Sequence, residues 1–180
     1  MGPNVGTSGS RRVRMPQRTL AGRRVRWLPR SLVRTGHSCA FATVIVMTSV
    51  VQLLRTSALA PAPYAYAATV PSTSRLIFLA GACPLNPDGT TAAPDDYVEQ
   101  TRVCLRNMEQ ALAEAGAHIT DIVSTRVLVA SGARKNLVAV WDVVSERFGV
   151  HDVPSTLIGV AVLGYPQQLV EIEAVAAVAH

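Results

Sequence analysis

Two carboxylates near the C-terminus, Glu171 and Glu173, stand two residues apart in an apolar run (LVEIEAVAAV, 169–178). On a strand that spacing puts both on one face, roughly 6.7 Å apart. In a closed cleft, one such acid can activate a water molecule. On an open sheet, the same pair is a solvated or salt-bridged polar face. Arg126 falls between Ile122 and Leu128 in DIVSTRVLVA (121–130). It is either a cation for an anionic ligand or half of an ion pair at a surface or subunit interface. Ser155 and Thr156 are candidate hydroxyl donors to a ligand carbonyl. Trp141 reads either as helix–sheet packing or as the wall of a cleft for a larger, less charged ligand. Cys83 and Cys104 read as small buried hydrophobes, with a reactive thiol at Cys83 as the sharper option. His118, His151 and His180 are scattered and form no ligand set.

The elements that must position these residues follow from periodicity. RLIFLAGA (75–82) is a short apolar run ending near Gly81 and predicts a buried strand. Asn86-Pro87-Asp88-Gly89 has turn chemistry. Pro94-Asp95-Asp96 predicts the opening of a helix, with Pro in the first turn and acids at the positive end of the dipole. Val98, Thr101, Cys104, Leu105, Met108 and Leu112 give it one apolar stripe, and Gly116 predicts its stop. Residues 121–130 alternate as a strand: Val123, Thr125, Val127 and Val129 on one face, Ile122, Ser124, Arg126 and Leu128 on the other. A second helix is predicted over 134–148, stopped by Gly149, and strands over 156–163 and 169–178. The order predicts an α/β fold with two helices on one face of a mixed sheet. The segment 58–68 (ALAPAPYAYAA) reads as a Pro/Ala lead-in.

Charge divides the chain. The net charge is +5, yet residues 1–46 hold nine Arg and no acid, while residues 47–180 carry a net −4. The basic extension has Gly and Pro and lacks helical periodicity, so it is expected to add no fold. It reads as sequence upstream of a natural start at Met47, as a targeting peptide, or as a nucleic-acid or membrane arm. A chain from Met47 has 134 residues, a typical domain size. The acidic remainder argues against nucleic-acid binding. No apolar run reaches the roughly 18 residues of a spanning helix, so no membrane is expected. Cys39, Cys83 and Cys104 lack CxxC spacing and a His partner at ligand spacing, which argues against a disulfide scaffold and a structural zinc site. The sparse, odd Cys count suits a reducing compartment, and the expected location is cytoplasmic.

Seven ordered blocks then add a resemblance. They are residues 66–70, LIFLAGACPL (76–85), QTRVCLRNMEQALAEAG (100–116), DIVSTRVLV (121–129), VWDVVSERFG (140–149), PSTLIGV (154–160) and VEIEAVA (170–176). Along almost all of 58–178 the chain resembles the Rid (YjgF-like) family of reactive-intermediate deaminases. The resemblance implies a chorismate-mutase-like fold, a homotrimer with small-molecule clefts between subunits, and hydrolysis of 2-aminoacrylate-like imines or enamines to a keto product and ammonia. It implies no metal and no cofactor. Glu171 matches the family's water-orienting acid, Gly81 its strand-end glycine, and Tyr66 its cleft tyrosine, with Tyr64 as the register alternative. Three positions depart from the pattern. Ala80 replaces a small polar residue, Trp141 replaces an Asn, and Pro154 stands where the carboxylate-binding Arg belongs. A charge-assisted hydrogen bond is worth about 1.5–3 kcal/mol. Losing two weakens binding of amino-acid-derived imines by roughly 10²–10⁴-fold. The competing expectation is therefore a catalytically silent ligand-binding or regulatory protein on the same scaffold.

Overall fold

The computed structural model describes residues 49–180. The basic extension 1–46, the alternative start Met47 and Cys39 lie outside the described residues.

Four strands form the main sheet: β3 (Arg75–Phe78), β6 (Val170–Val178), β4 (Ile122–Ala130) and β5 (Ser155–Val160), in that spatial order. β4 is rich in β-branched residues, which suit a pleated, packed surface. It pairs antiparallel with β6 and parallel with β5. A parallel pair needs a crossover connection, and α2 (Arg134–Phe148) supplies it. β1 (Gln52–Leu54) and β2 (Ala67–Thr69) form a separate antiparallel pair.

α1 (Tyr97–Glu114) begins at Asp96, whose side chain accepts a hydrogen bond from the Glu99 amide at 2.9 Å. This N-cap satisfies one of the helix's orphan donors. α1 ends at Ala115, followed by Gly116 at φ 73°, where the missing Cβ removes the left-handed penalty. The Arg75 guanidinium donates to the Ala115 carbonyl at 3.0 Å and so ties β3 to this helix end. Both helices bury their stripes on one face of the sheet. Cys104, Leu105, Met108 and Leu112 of α1 and Val140, Val144 and Phe148 of α2 pack with Val127, Val129, Val170, Ile172, Ala174 and Ala176.

The mixed α/β architecture with two helices on one sheet face is the one the sequence predicts. The differences are local. Pro94 lies outside α1, because Ala93 (φ 44°) and Asp95 (φ 66°) turn the chain before Asp96 caps it. Ile122 does not share a face with Arg126. A bulge between Ile122 and Ser124 breaks the alternation and buries Ile122 completely in the core. β3 stops at Phe78, and the chain rejoins β6 through an isolated bridge between Ala82 and Ile172. β5 ends at Val160 rather than 163, and the lead-in contributes β2.

Candidate functional site

The other face of the sheet carries no helix. On it stand Leu76 and Phe78 of β3, Glu171 and Glu173 of β6, Ser124, Arg126 and Leu128 of β4, and Thr156 and Ile158 of β5. The strand register aligns them in rows. Thr156, Arg126 and Glu173 form one row, and Ile158, Leu128 and Glu171 the next.

The two carboxylates have different surroundings. Glu173 takes the Arg126 guanidinium at 3.0 Å, in an ion pair that stays open to solvent. Glu171 is half-buried and turned toward the chain between Gly81 and Cys83. A Cβ placed on Gly81 would come within 1.9 Å of Glu171 Oε1. The absence of a side chain at Gly81 is therefore what admits the carboxylate. On the other oxygen, Gln168 Nε2 donates to Oε2 at 3.0 Å and the Cys83 thiol reaches it at 3.5 Å. Burial, then the charge of Glu171 and the hydrogen bond to it, push the Cys83 thiol up to about 11 from 9.0. At neutral pH it is a protonated donor rather than a nucleophile. Cys104 is fully buried beneath, its pKa raised chiefly by that burial.

Helix α1 fixes the two loops that flank Glu171. Asn107 Nδ2 donates to the carbonyls of Cys83 (2.9 Å) and Leu85 (3.0 Å). Gln100, fully buried, donates to the carbonyls of Ala93 and Gln167 and accepts from the Leu169 amide at 2.8 Å. Three polar residues, Gln100, Asn107 and Gln168, thus build the acid's surroundings, and sequence reading passed over all three. A signal existed for two of them. Gln100 and Asn107 lie seven apart, on the stripe that also carries Cys104, where a polar side chain must find a buried partner.

The remaining candidates gather at the other edge of the sheet. Tyr64, Tyr66, Arg126, Pro154, Ser155 and Thr156 line a cavity of about 290 Å³. Pro63, Tyr64, Trp141, Ser155, Thr156 and Leu157 line a neighbouring one of about 470 Å³. Tyr64 stands edge-on to Trp141, with ring centroids 6.3 Å apart, and to Tyr66 at 6.2 Å. The Ala65 amide holds this segment against the β5 approach by donating to the Asp152 carbonyl at 2.7 Å. The Tyr66 hydroxyl donates to the Ala60 carbonyl; Tyr66 lines the first cavity and Tyr64 lines both. Ser155 Oγ lies 2.7 Å from Thr125 Oγ1 and donates to the Val153 carbonyl, whereas Thr156 is exposed. His151 is tied to the Ile122 carbonyl at 2.9 Å and has a structural role.

Arg126 joins the two groups. It also borders a third cavity, of about 350 Å³, that runs to Gly81 and Glu173. One chain nevertheless keeps Glu171 and Thr156 two strands and one row apart, roughly 12 Å at strand spacings of about 4.8 Å and 6.7 Å. Among the described residues, no cluster of three or more His, Cys, Asp and Glu could hold a metal. No helix there is long and apolar enough to cross a membrane.

Residues 56–178 match the family model described as Endoribonuclease L-PSP. The chain belongs to this family, the Rid family. A RutC family protein of Pyrococcus abyssi is 31% identical over 115 residues, covering 63% of this chain and 85% of that one. The 2-iminobutanoate/2-iminopropanoate deaminase of Mus musculus is 31% identical over 87 residues, 47% of this chain and 62% of the relative. Among solved structures, the Rid family protein YyfB of Yersinia pestis superposes with a TM-score of 0.66 at 27% identity, over 72% of this chain and 99% of that one. Rv2704 of Mycobacterium tuberculosis gives 0.50 at 30% identity, over 71% and 99%.

Proposed function

We propose that this Rid protein hydrolyses reactive imines or enamines of the 2-aminoacrylate type and releases a keto product and ammonia. One observation carries the reading: the carboxylate of Glu171 is held against the Gly81 backbone at the edge of an uncovered sheet face. After tautomerisation of the enamine, water adds to the imine carbon while Glu171 accepts one of its protons and passes it to the nitrogen, giving a neutral carbinolamine. Glu171 then takes the carbinolamine hydroxyl proton and delivers it to the amine as the C–N bond breaks, so that the carbonyl forms and ammonia leaves. Similarity to the mouse deaminase supports this reaction class.

The reading includes a homotrimer in the cytoplasm with the ligand between subunits. Phe78 is 75% exposed and Leu76 48% on the open face. Apolar side chains aligned on a sheet face ask to be covered. The separation of Glu171 from the Tyr64–Trp141 cavity within one chain supports a cleft completed by a second copy. Arg126, beside Pro154, supplies the cation for an anionic ligand from a different strand than the family's Arg.

The test is ammonia and keto-acid release from enzymatically generated imines, against the buffer rate. Acceleration by the protein, lost in Glu171→Gln, is the expected result. A folded trimer that gives no acceleration overturns the reading. The second reading, a silent ligand-binding protein, draws on Pro154 and on the engagement of Arg126 with Glu173. A metabolite that raises the melting temperature and is never turned over favours it.

A further inference from the structure

Gln168 is 4% exposed, in a chain segment that turns sharply at Gln167 (φ 61°) just before β6. A buried amide at a strand entrance must have its hydrogen bonds met, and here its orientation is fully determined. Its Oε1 accepts from the Tyr165 amide at 3.0 Å. Its Nε2 donates to the Val170 carbonyl at 3.2 Å and to Glu171 Oε2 at 3.0 Å. Flipping the amide would set its oxygen against a carbonyl and a carboxylate and leave the Tyr165 amide unmet, so the donor stays aimed at Glu171. The Cys83 thiol approaches the same oxygen from the opposite chain segment, at 3.5 Å. Both segments are tied to α1, through Asn107 and Gln100.

We infer that Gln168 and Cys83 are positioning residues that clamp Oε2 of Glu171 and leave Oε1, above the Gly81 backbone, as the oxygen that meets water. The inference rests on the hydrolase reading and adds to it. Cys83 acts as a thiol donor to the carboxylate, and the reaction forms no bond to sulfur. A carboxylate with one oxygen occupied presents a single acceptor in a single direction. Orientation of this kind lowers the barrier without changing how tightly the substrate binds.

The experiment uses the full chain with Cys83→Ala, Cys83→Ser, Gln168→Met and Glu171→Gln, and two readouts. In steady-state turnover of a generated imine, Cys83→Ala lowers kcat about 3- to 10-fold with KM unchanged, and Cys83→Ser restores most of the loss because it keeps a donor. Gln168→Met lowers kcat by about tenfold or more. If it fails to fold, the Cys83 pair carries the test. The second readout does not need activity. Iodoacetamide labelling of Cys83, followed on its own peptide by mass spectrometry at pH 9, becomes several-fold faster in Glu171→Gln, because the neighbouring charge that suppresses the thiolate is gone. Unchanged labelling in Glu171→Gln overturns the clamp. So does a Cys83→Ala variant that alters KM and leaves kcat intact. A wild-type protein that turns over no imine removes the hydrolase reading, while the labelling still decides whether the thiol and carboxylate meet.

Discussion

On the helix side of β4 and β6, Val127, Val129, Val170 and Ile172 have no exposed surface. One residue along the same strands, on the uncovered side, Arg126, Leu128, Glu171 and Glu173 are exposed or half-buried and three of the four are charged. The two faces share a backbone and differ only in what packs on them. On the covered face the side chains are held by apolar neighbours, apart from the Thr125–Ser155 hydroxyl pair, so the sequence there is chiefly a packing problem. On the open face each carboxylate is held by one or two specific partners: Glu173 by Arg126, Glu171 by Gln168 and Cys83. Changes on the first face should therefore register as stability, and changes on the second as chemistry.

The strongest way to break this contrast uses adjacent residues. Ile172→Ala removes a fully buried side chain and should cost about 2–5 kcal/mol in denaturant unfolding. Glu171→Gln should cost under about 1 kcal/mol and lower turnover by about 10²-fold or more. Equal stability losses at the two positions would show that the open face is core as well.

Two glycines sharpen the same point. At Gly159, on the covered side of β5, a Cβ would lie 2.7 Å from the Ser131 backbone carbonyl oxygen. Backbone cannot swing aside, so Gly159→Ala should destabilise by about 1–3 kcal/mol and leave the activity of the folded fraction unchanged. At Gly81 the obstructing atoms belong to the flexible side chain of Glu171. Gly81→Ala should leave the unfolding midpoint nearly unchanged and reduce kcat by about tenfold or more, because the carboxylate must move. A smaller effect is expected at Arg126. Its ion pair is open to solvent, so Arg126→Met should alter stability by about 0.5 kcal/mol or less. KM for an anionic imine should rise about tenfold, whereas a ligand without a carboxylate should bind as before.

The legibility of the molecule divides along the same line. Helix α2 was readable to the residue, because a 3.6-residue stripe and a terminal glycine define it locally. β4 was readable apart from Ile122, where the bulge depends on pairing with β6 and leaves no mark in the alternation. Glu171, Gly81 and Arg126 were legible as candidates through spacing and family likeness. Their partners were not. Gln168 has no periodic context in its loop, and its importance arises only when the loop folds back over β6. Cys83 read as a hydrophobe or a nucleophile, and it is a donor because a carboxylate from a residue 88 positions away lies beside it. Tyr64 and Trp141 share a cavity through a fold-back of the lead-in that no local pattern encodes.

The smallest predicted effect is on the pH dependence of stability. Cys83 is a neutral acid whose pKa is raised on folding, from 9.0 to about 11, chiefly by burial and then by Glu171. Below pH 9 the thiol is protonated in both folded and unfolded chains, and the stability linked to it is fully present. As pH rises above 9 the unfolded chain releases the proton first, and stability falls until the folded thiol also ionises near pH 11. The buried Cys104 thiol adds a loss of the same sign. Denaturant midpoints measured between pH 7 and 11 should thus decline, and Cys83→Ser should decline less steeply, because a serine hydroxyl does not ionise in this range. Glu171→Gln should also flatten the curve, since it removes one cause of the raised thiol. If both variants follow the wild-type slope, the thiol and the carboxylate are not coupled, and Gln168 alone holds Oε2 of Glu171.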